Sequence, residues 1–585
     1  MMSTTRPYRA LLAAFGFAFC AVIGAADRAA AQAGGTRPNI VLIMADDLDV
    51  ASLGRMLEPD LALMPNFKRY FVDEGVRFAN AFVTNSLCCP SRATYLTGQY
   101  SHNTNVLTNH SPSGSLGAFR ASSTLAVWLS DAGYRTSHVG KFLNGYGLTF
   151  PADHVAGGDQ CMASGGEAIT PPQYIPPGWR DWYGLLDTDG STYRMYNMWV
   201  NDNCAIRLEA RRPDDPGDLR RDGYQTDVLA WRAVRFLDES APAGGPFYLE
   251  ITPLAPHLEI FRGITRFEPY QEVWKWDIRP APRHAGSVSL WAPIPPAMNE
   301  DLSDKPAWMQ PGARRERPPL TAEDYLYLTR QYRHRLESLR AVDDLIGALV
   351  RALERNGQLG NTVLVFTADN GFLYGEHNMS EKLVAYEESI RVPLYVRMPG
   401  GGGPRVLDAL VLNNDLAPTI AELAGATPDL VADGTSLVPL LQGGAIGDWR
   451  KRFLVEHRDS GALADVPTYA AVRQKSASPA GAVTDLLYLE YENPDVDGLW
   501  NTPEFYDIAA DPHQRQSLHA SQDPVRVLQR YLLRGVLGQL KTCTGESCRR
   551  LEFCPGPFAF CEGAAPPAAA AEVETSASDA RAAAQ

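Results

Sequence analysis

Thr362-Val363-Leu364-Val365-Phe366-Thr367-Ala368-Asp369-Asn370-Gly371 opens as a short apolar run and closes on turn-forming polar residues. The run reads as a strand buried on both faces. Directly before it, Leu328, Tyr332, Leu336, Leu339, Val342, Ile346, Leu349 and Leu353 recur every three or four positions. That spacing predicts a helix from a cap at Thr321 to a stop at Asn356-Gly357. Working outward, Asn39 to Met44, Arg135 to Val139 and Phe247 to Thr252 are further buried-strand runs. Alternating strand and helix signals predict an α/β fold, a mostly parallel sheet sandwiched by helices, for a large domain over 36–445.

After Gly443 the character changes. Phe453 to Glu456, Tyr469 to Val472 and Asp485 to Tyr491 are short strand-like runs, followed by a helical stretch from Pro524 to Leu540. They predict a smaller C-terminal α+β domain with an antiparallel sheet, 446–562. Residues 563–585 are Ala-rich and carry no core pattern, so they are expected to be disordered. Ala156 to Arg221 and Trp274 to Pro319 are rich in Pro, Gly, Trp and Arg. They read as long loops that line a site.

At the other end, Arg6 and Arg9 precede an apolar run from Leu11 to Gly24 and the small residues Ala29-Ala30-Ala31-Gln32-Ala33. This is the pattern of an export signal, 1–33. The run is shorter than the ~20 residues of a spanning helix, so no membrane span is expected in the mature chain. An exported chain is periplasmic or extracellular and can form disulfides. Of nine cysteines, Cys20 lies in the signal. Cys543/Cys548, Cys554/Cys561 and Cys161/Cys204 are then expected pairs, leaving Cys88 and Cys89 side by side. With 585 residues, 45% hydrophobic and 21% charged, the chain is globular and long enough for two domains. Its net charge of -14 and lack of a dense Lys/Arg stripe exclude a nucleic-acid footprint.

Ligands of an open parallel sheet bind beyond the carboxyl ends of its strands. Asp46-Asp47, Gly140-Lys141, Pro256-His257 and Asp369-Asn370-Gly371 each follow a predicted strand. Asp46 with Asp47, and Asp369 with Asn370, supply only oxygen ligands, which favours calcium, with magnesium second, over zinc. Taken singly, such pairs are caps or turns; two at equivalent places of one sheet point to a metal. In Cys88-Cys89-Pro90-Ser91-Arg92-Ala93-Thr94-Tyr95-Leu96-Thr97-Gly98, Pro90 suits a helix's first turn and Gly98 its end. Cys88 would sit at a helix N-terminus, where the dipole favours anions and lowers a thiol's pKa. Arg92, a turn later, would point back at it.

These residues, Cys88-Cys89-Pro90-Ser91-Arg92 with Leu96-Thr97-Gly98, resemble the Cys-x-Pro-Ser-Arg signature of type I sulfatases. The resemblance extends over nearly the whole mature chain. It takes in Arg37-Pro38-Asn39-Ile40 with Asp46-Asp47, Gly140-Lys141, Pro256-His257, Thr367-Ala368-Asp369-Asn370-Gly371, Lys382, Glu504-Phe505-Tyr506-Asp507 and Asp511-Pro512. It implies an alkaline-phosphatase-like fold and a catalytic domain over 36–445. It also implies a formylglycine (3-oxoalanine) made from Cys88 by a formylglycine-generating enzyme, and a Ca2+ held by Asp46, Asp47, Cys88, Asp369 and Asn370. The hydrated aldehyde would attack the sulfur of a small-molecule or saccharide sulfate ester, and its second hydroxyl would expel sulfate. Arg92 would steady the diol, and Lys141, Lys382 and His257 would hold the sulfate oxygens. His257 or Lys382 would protonate the leaving group.

One departure stands out. Many sulfatases follow the lysine with Trp-His-Leu-Gly, whereas Lys141 precedes Phe142-Leu143-Asn144-Gly145. Asn144 is the candidate to contact the diol instead. This form, with Ser101-His102-Asn103, is more similar to the N-acetylglucosamine-6-sulfatase and extracellular heparan 6-sulfatase branch than to the arylsulfatases. His102 and His377 are further candidates to line the pocket, and His138 is expected in the core. Trp179, Trp182, Tyr183, Trp199, Trp274 and Trp276 suit stacking on a sugar or plain loop anchoring. The alternatives are a phosphodiesterase or phosphonate monoester hydrolase of the same superfamily, and a non-catalytic binding protein with Cys88 unmodified.

Overall fold

Asn39–Ala45 forms strand β1, and every one of its residues is buried. Its side chains alternate between two cores, with Ile40, Leu42 and Met44 in one and Val41, Ile43 and Ala45 in the other. That period of two, apolar on both faces, places β1 inside a sheet covered on each side. The computed structural model describes residues 37–156, 160–161, 169–259, 277–310, 317–444, 449–459, 466–477, 483–492 and 500–554. The predicted signal 1–33, the Ala-rich tail 563–585, Cys561, Trp274 and Trp276 lie outside the described residues.

The other strands are β2 Val76–Phe82, β3 Arg135–Lys141, β4 Asp181–Leu185, β5 Met198–Asp202, β6 Ala205–Glu209 and β7 Phe247–Thr252. Then come β8 Thr362–Ala368, β9 Leu373–Tyr374, β10 Ser380–Glu381, β11 Tyr395–Arg397 and β12 Arg405–Leu412. The main sheet runs β12-β2-β11-β8-β1-β7-β3-β4-β5-β6. Its centre, β8-β1-β7-β3-β4, is parallel throughout. Antiparallel pairings appear where β11 meets β2 and β8, and along β4-β5-β6. Strands β9 and β10 form a separate hairpin.

Helix α1, Cys88–Thr97, is buried along its whole length and stops at Gly98, whose φ of 73 needs a residue without a side chain. Helix α2 is Gln225–Ser240 and helix α3 is Ala322–Arg355. Thr321 caps α3 as predicted, in a reciprocal capping box with Asp324. Leu328, Leu336, Leu339 and Leu353 of α3 pack on the same face as Val41. At about 1.5–3 kcal/mol for each large apolar side chain buried, this stripe rather than helix propensity holds α3 in place.

The second sheet, β13 Arg452–His457, β14 Tyr469–Ala477, β15 Val483–Glu492 and β16 Trp500–Asp507, is antiparallel throughout. Helix α4, Pro524–Leu540, packs against it. Cys161–Cys204 and Cys543–Cys548 are disulfides, Cys554 is also disulfide-bonded, and Cys88 and Cys89 are free. No helix among the described residues is long and apolar enough to cross a membrane.

The reading of 156–221 as loops needs correction, since β4, β5 and β6 arise there and extend the main sheet to its edge. Trp179, Trp182 and Tyr183 are buried in the two cores and offer no sugar-stacking face. Trp182 stacks on His138, which bonds Glu250 at 2.9 Å in the core, as expected of that histidine. Trp199, 37% exposed, remains at the surface.

His102, shortly after α1, is tied to the second sheet. Its Nδ1 lies 3.1 Å from both oxygens of Glu456 on β13, and its Nε2 lies 2.9 Å from the Cys543 carbonyl. Burial opposes its charge, but Glu456 more than offsets burial and the pKa rises to about 9. The folded pKa exceeds the unfolded value of about 6.5, so the stabilisation is complete below about pH 6.5 and is lost as pH climbs towards 9. The melting temperature is expected to fall by a few degrees over that window, and His102→Gln to flatten the slope; equal slopes in both proteins would assign the loss elsewhere.

Candidate active site

Each predicted strand end delivers its polar residues to one place. In-register pairing of Ala45 with Ala368 sets the exits of β1 and β8 side by side. The Asp369 N–H then donates to the Ala45 carbonyl at 3.2 Å, and the Asp47 N–H to Asp369 Oδ1 at 3.0 Å. Asp47 has a φ of 61, a left-handed conformation that aspartate tolerates and that those bonds hold. Strand β3 ends on Lys141, β7 leads through Pro256 to His257, and the β9–β10 hairpin leads to Lys382.

These residues surround Cys88, the first residue of α1. Its Sγ lies 3.6 Å from Asp46 Oδ1 and 2.9 Å from Lys382 Nζ. Lys382 also donates to Asp47 Oδ1. Lys141 Nζ lies 2.5 Å from Asp46 Oδ2, and His257 Nε2 is 3.5 Å from Asp47 Oδ2. Arg92 pairs with Asp369 at 2.9 Å, approaches Asp46 at 3.6 Å and donates to the Lys141 carbonyl at 2.8 Å. Asn370 Nδ2 donates to Asp47 Oδ1 at 2.7 Å. Cys88, Arg92, Lys141, His257, Lys382, Asp46, Asp47, Asp369 and Asn370 thus form one connected network.

Charge is balanced within it. Burial alone would raise the Asp46 pKa, but Lys141, His257 and Arg92 hold it at about 2. For Asp47, Lys382 and His257 likewise overcome burial and the pKa is lowered. Lys141 and Lys382 are held charged against burial by Asp46 and Asp47 respectively. Burial pushes the His257 pKa down despite both aspartates. Cys88 departs from the sequence expectation. Burial drives its thiol up to about 12 in spite of Lys141 and Lys382, so the helix dipole does not make it a thiolate. As a buried thiol this residue is a poor nucleophile.

A divalent cation fits this donor set. Asp46, Asp47, Cys88 and His257 offer atoms that all lie within 4.8 Å of one another. The buried Asn370 Oδ1 has no hydrogen-bond partner, an acceptor left open beside two ionised carboxylates. Oxygen dominates, which suits Ca2+ or Mg2+. His257 enters this group, although its expected roles were to contact sulfate and to protonate the leaving group.

Two site residues escaped sequence reasoning. Arg335 of α3, 1% exposed, donates to the carbonyls of Asp47 and, at 2.9 Å, Pro256, and to the Tyr374 hydroxyl at 2.7 Å. Its guanidinium lies 3.7 Å over the Phe372 ring. One side chain thereby ties together the loops bearing Asp47, His257 and Asn370. The visible signal was a charge on the apolar stripe between Tyr332 and Leu339. Arg335→Met leaves two carbonyls unpaired and is expected to cost about 2–3 kcal/mol in urea unfolding. Tyr193, in the segment read as loop, is the other, and no spacing marked it.

Neither His102 nor His377 joins the network, contrary to their expected place in the pocket. His377 bonds Glu300 at 2.7 Å and stacks on Tyr386 at 3.8 Å. Leu143 is buried in the core.

A family model described as Sulfatase matches residues 38–426, and one for the C-terminal part of N-sulphoglucosamine sulphohydrolase matches 375–537. N-acetylglucosamine-6-sulfatase of Capra hircus is 31% identical over 558 residues, covering 90% of this chain and 87% of that protein. An arylsulfatase of Volvox carteri is 32% identical over 559 residues, 88% and 76% of the respective chains. Among solved structures, one in complex with its substrate D-glucosamine-2-N,6-O-disulfate matches with a TM-score of 0.64 at 22% identity, covering 88% and 98%. A phosphonate monoester hydrolase from Silicibacter pomeroyi matches at 0.59 and 20%, covering 85% and 94%. At such identities these two structures speak to the fold, which is alkaline-phosphatase-like.

Proposed function

Because the chain belongs to the sulfatase family and is a sulfuric ester hydrolase, we propose that it is exported and hydrolyses the sulfate ester of a sugar, with Cys88 converted to formylglycine as its nucleophile. The observation that carries this is the convergence on Cys88 Sγ of Lys382 at 2.9 Å and Asp46 at 3.6 Å, at the start of a fully buried helix. A sugar 6-sulfate is the first substrate to test, since N-acetylglucosamine-6-sulfatases recur among relatives of about this length. Export is supported by relatives named extracellular sulfatases.

Hydrated, the Cys88 aldehyde supplies one hydroxyl to attack sulfur and a second whose deprotonation releases sulfate. Asp46, Asp47, Cys88, Asp369 and Asn370 would hold Ca2+, with His257 beside them, and the ion supplies Lewis acidity towards sulfate oxygen. Lys141, held charged by Asp46, faces the sulfate oxygens. Lys382 Nζ, 2.9 Å from Cys88 Sγ, donates its proton towards the leaving oxygen. His257 directs Nδ1 at the Leu258 carbonyl, 2.6 Å away, which turns Nε2 towards Asp47 and the site. Arg92 keeps Asp369 and the Lys141 backbone in place.

Aldehyde-bearing enzyme is to be assayed on aryl sulfate, aryl phosphate and the 6-sulfate of N-acetylglucosamine. Sulfate-ester turnover is expected to dominate, with the sugar sulfate accepted. Faster turnover of phosphate at a matched leaving group would overturn the reading.

A further inference from the structure

Two polar side chains beside the nucleophile have no task in this scheme. Asn144 is buried, and its Nδ2 donates to the Tyr193 hydroxyl at 2.6 Å. Its Oδ1 has no hydrogen-bond partner. The Tyr193 ring covers Lys141 Nζ, 4.7 Å from the ring centre, and leans on the His257 ring at 5.1 Å. The phenol is therefore seated against both side chains that face sulfate from this side.

Counting donors shows what the pair lacks. An amide has two N–H groups and a phenol one O–H, and their mutual contact uses a single hydrogen. Whichever way the amide is turned, the pair keeps hydrogens to spare beside the site. Donors left unpaired on closure of a buried site cost free energy, so the complementary ligand brings acceptors. A sulfuryl group presents three non-bridging oxygens, and Lys141 and His257 already mark where they go.

We propose that Tyr193, braced by Asn144, is a further catalytic residue that donates a hydrogen bond to a non-bridging oxygen of the sulfuryl group. This rests on the sulfate-ester reading above. Since the ring also packs on Lys141, the hydroxyl and the ring are separable contributions: Tyr193→Phe removes the first and Tyr193→Leu both.

The test compares wild type with Tyr193→Phe in three measurements: kcat and KM on aryl sulfate, affinity for inorganic sulfate by thermal shift, and the mass of the Cys88 peptide. Tyr193→Phe is expected to mature normally, to lose about 100-fold in kcat with little change in KM, and to bind sulfate about tenfold more weakly. Tyr193→Leu should lose more on both counts. Unchanged kcat and unchanged sulfate affinity in a matured Tyr193→Phe enzyme would overturn the proposal. Weakened sulfate binding in a protein that turns over no sulfate ester would uphold Tyr193 as an oxygen donor and overturn the hydrolysis reading instead.

Discussion

Cys88→Ser is expected to lower turnover by about 10⁴-fold or more while leaving the fold intact. Cys88 is 1% exposed at the first position of α1, and serine is nearly isosteric there, so little packing is lost. What changes is the exit. A hydrated aldehyde carries two hydroxyls, one to take the sulfuryl group and one to eject it. Serine carries one and makes a stable ester. The variant should gain the mass of a single sulfo group per chain, in a burst of no more than one equivalent. Steady turnover by Cys88→Ser would remove the aldehyde from the account.

The second large effect is expected at Asp47. Its carboxylate receives Lys382 and Asn370 and lies 3.5 Å from His257, while its carbonyl receives Arg335. Asp47→Ala leaves the buried Lys382 ammonium without its partner, which costs about 3–5 kcal/mol. It also removes a proposed cation ligand, and about 10³-fold in turnover should go with it. Calcium held at the proposed site would add stability by mass action, about 2.7 kcal/mol at a hundredfold excess over Kd. The melting temperature of wild type should therefore rise with calcium and fall with chelator, and that of Asp47→Ala should respond to neither. A calcium response preserved in the variant would place the ion elsewhere.

The parallel centre of the sheet was legible because β1, β7 and β8 are buried on both faces and leave an unbroken apolar trace. The α3 stripe was equally plain, since its 3.6 period runs between two capping signals. The edge strands were not. Asp181–Leu185 contains a glycine and opens on an aspartate, and Ala205–Glu209 is largely exposed with only a short alternation, so neither carries an apolar run. Only pairing across the sheet makes them strands. The site was legible at strand ends because chain order predicts which loops meet there. Arg335 and Tyr193 reach it from a helix face and a surface insertion, where a tertiary contact alone reveals them. The thiol of Cys88 was misjudged for a related reason. A helix N-terminus can be read from Pro90 and Gly98, but the burial that overrides its dipole cannot.

The most direct measurement is the mass of the Cys88 peptide from protein purified from its native host, taken alongside specific activity on aryl sulfate. The aldehyde should be present at Cys88, with activity proportional to the fraction converted. Fully active enzyme whose Cys88 peptide carries an intact thiol would contradict the account.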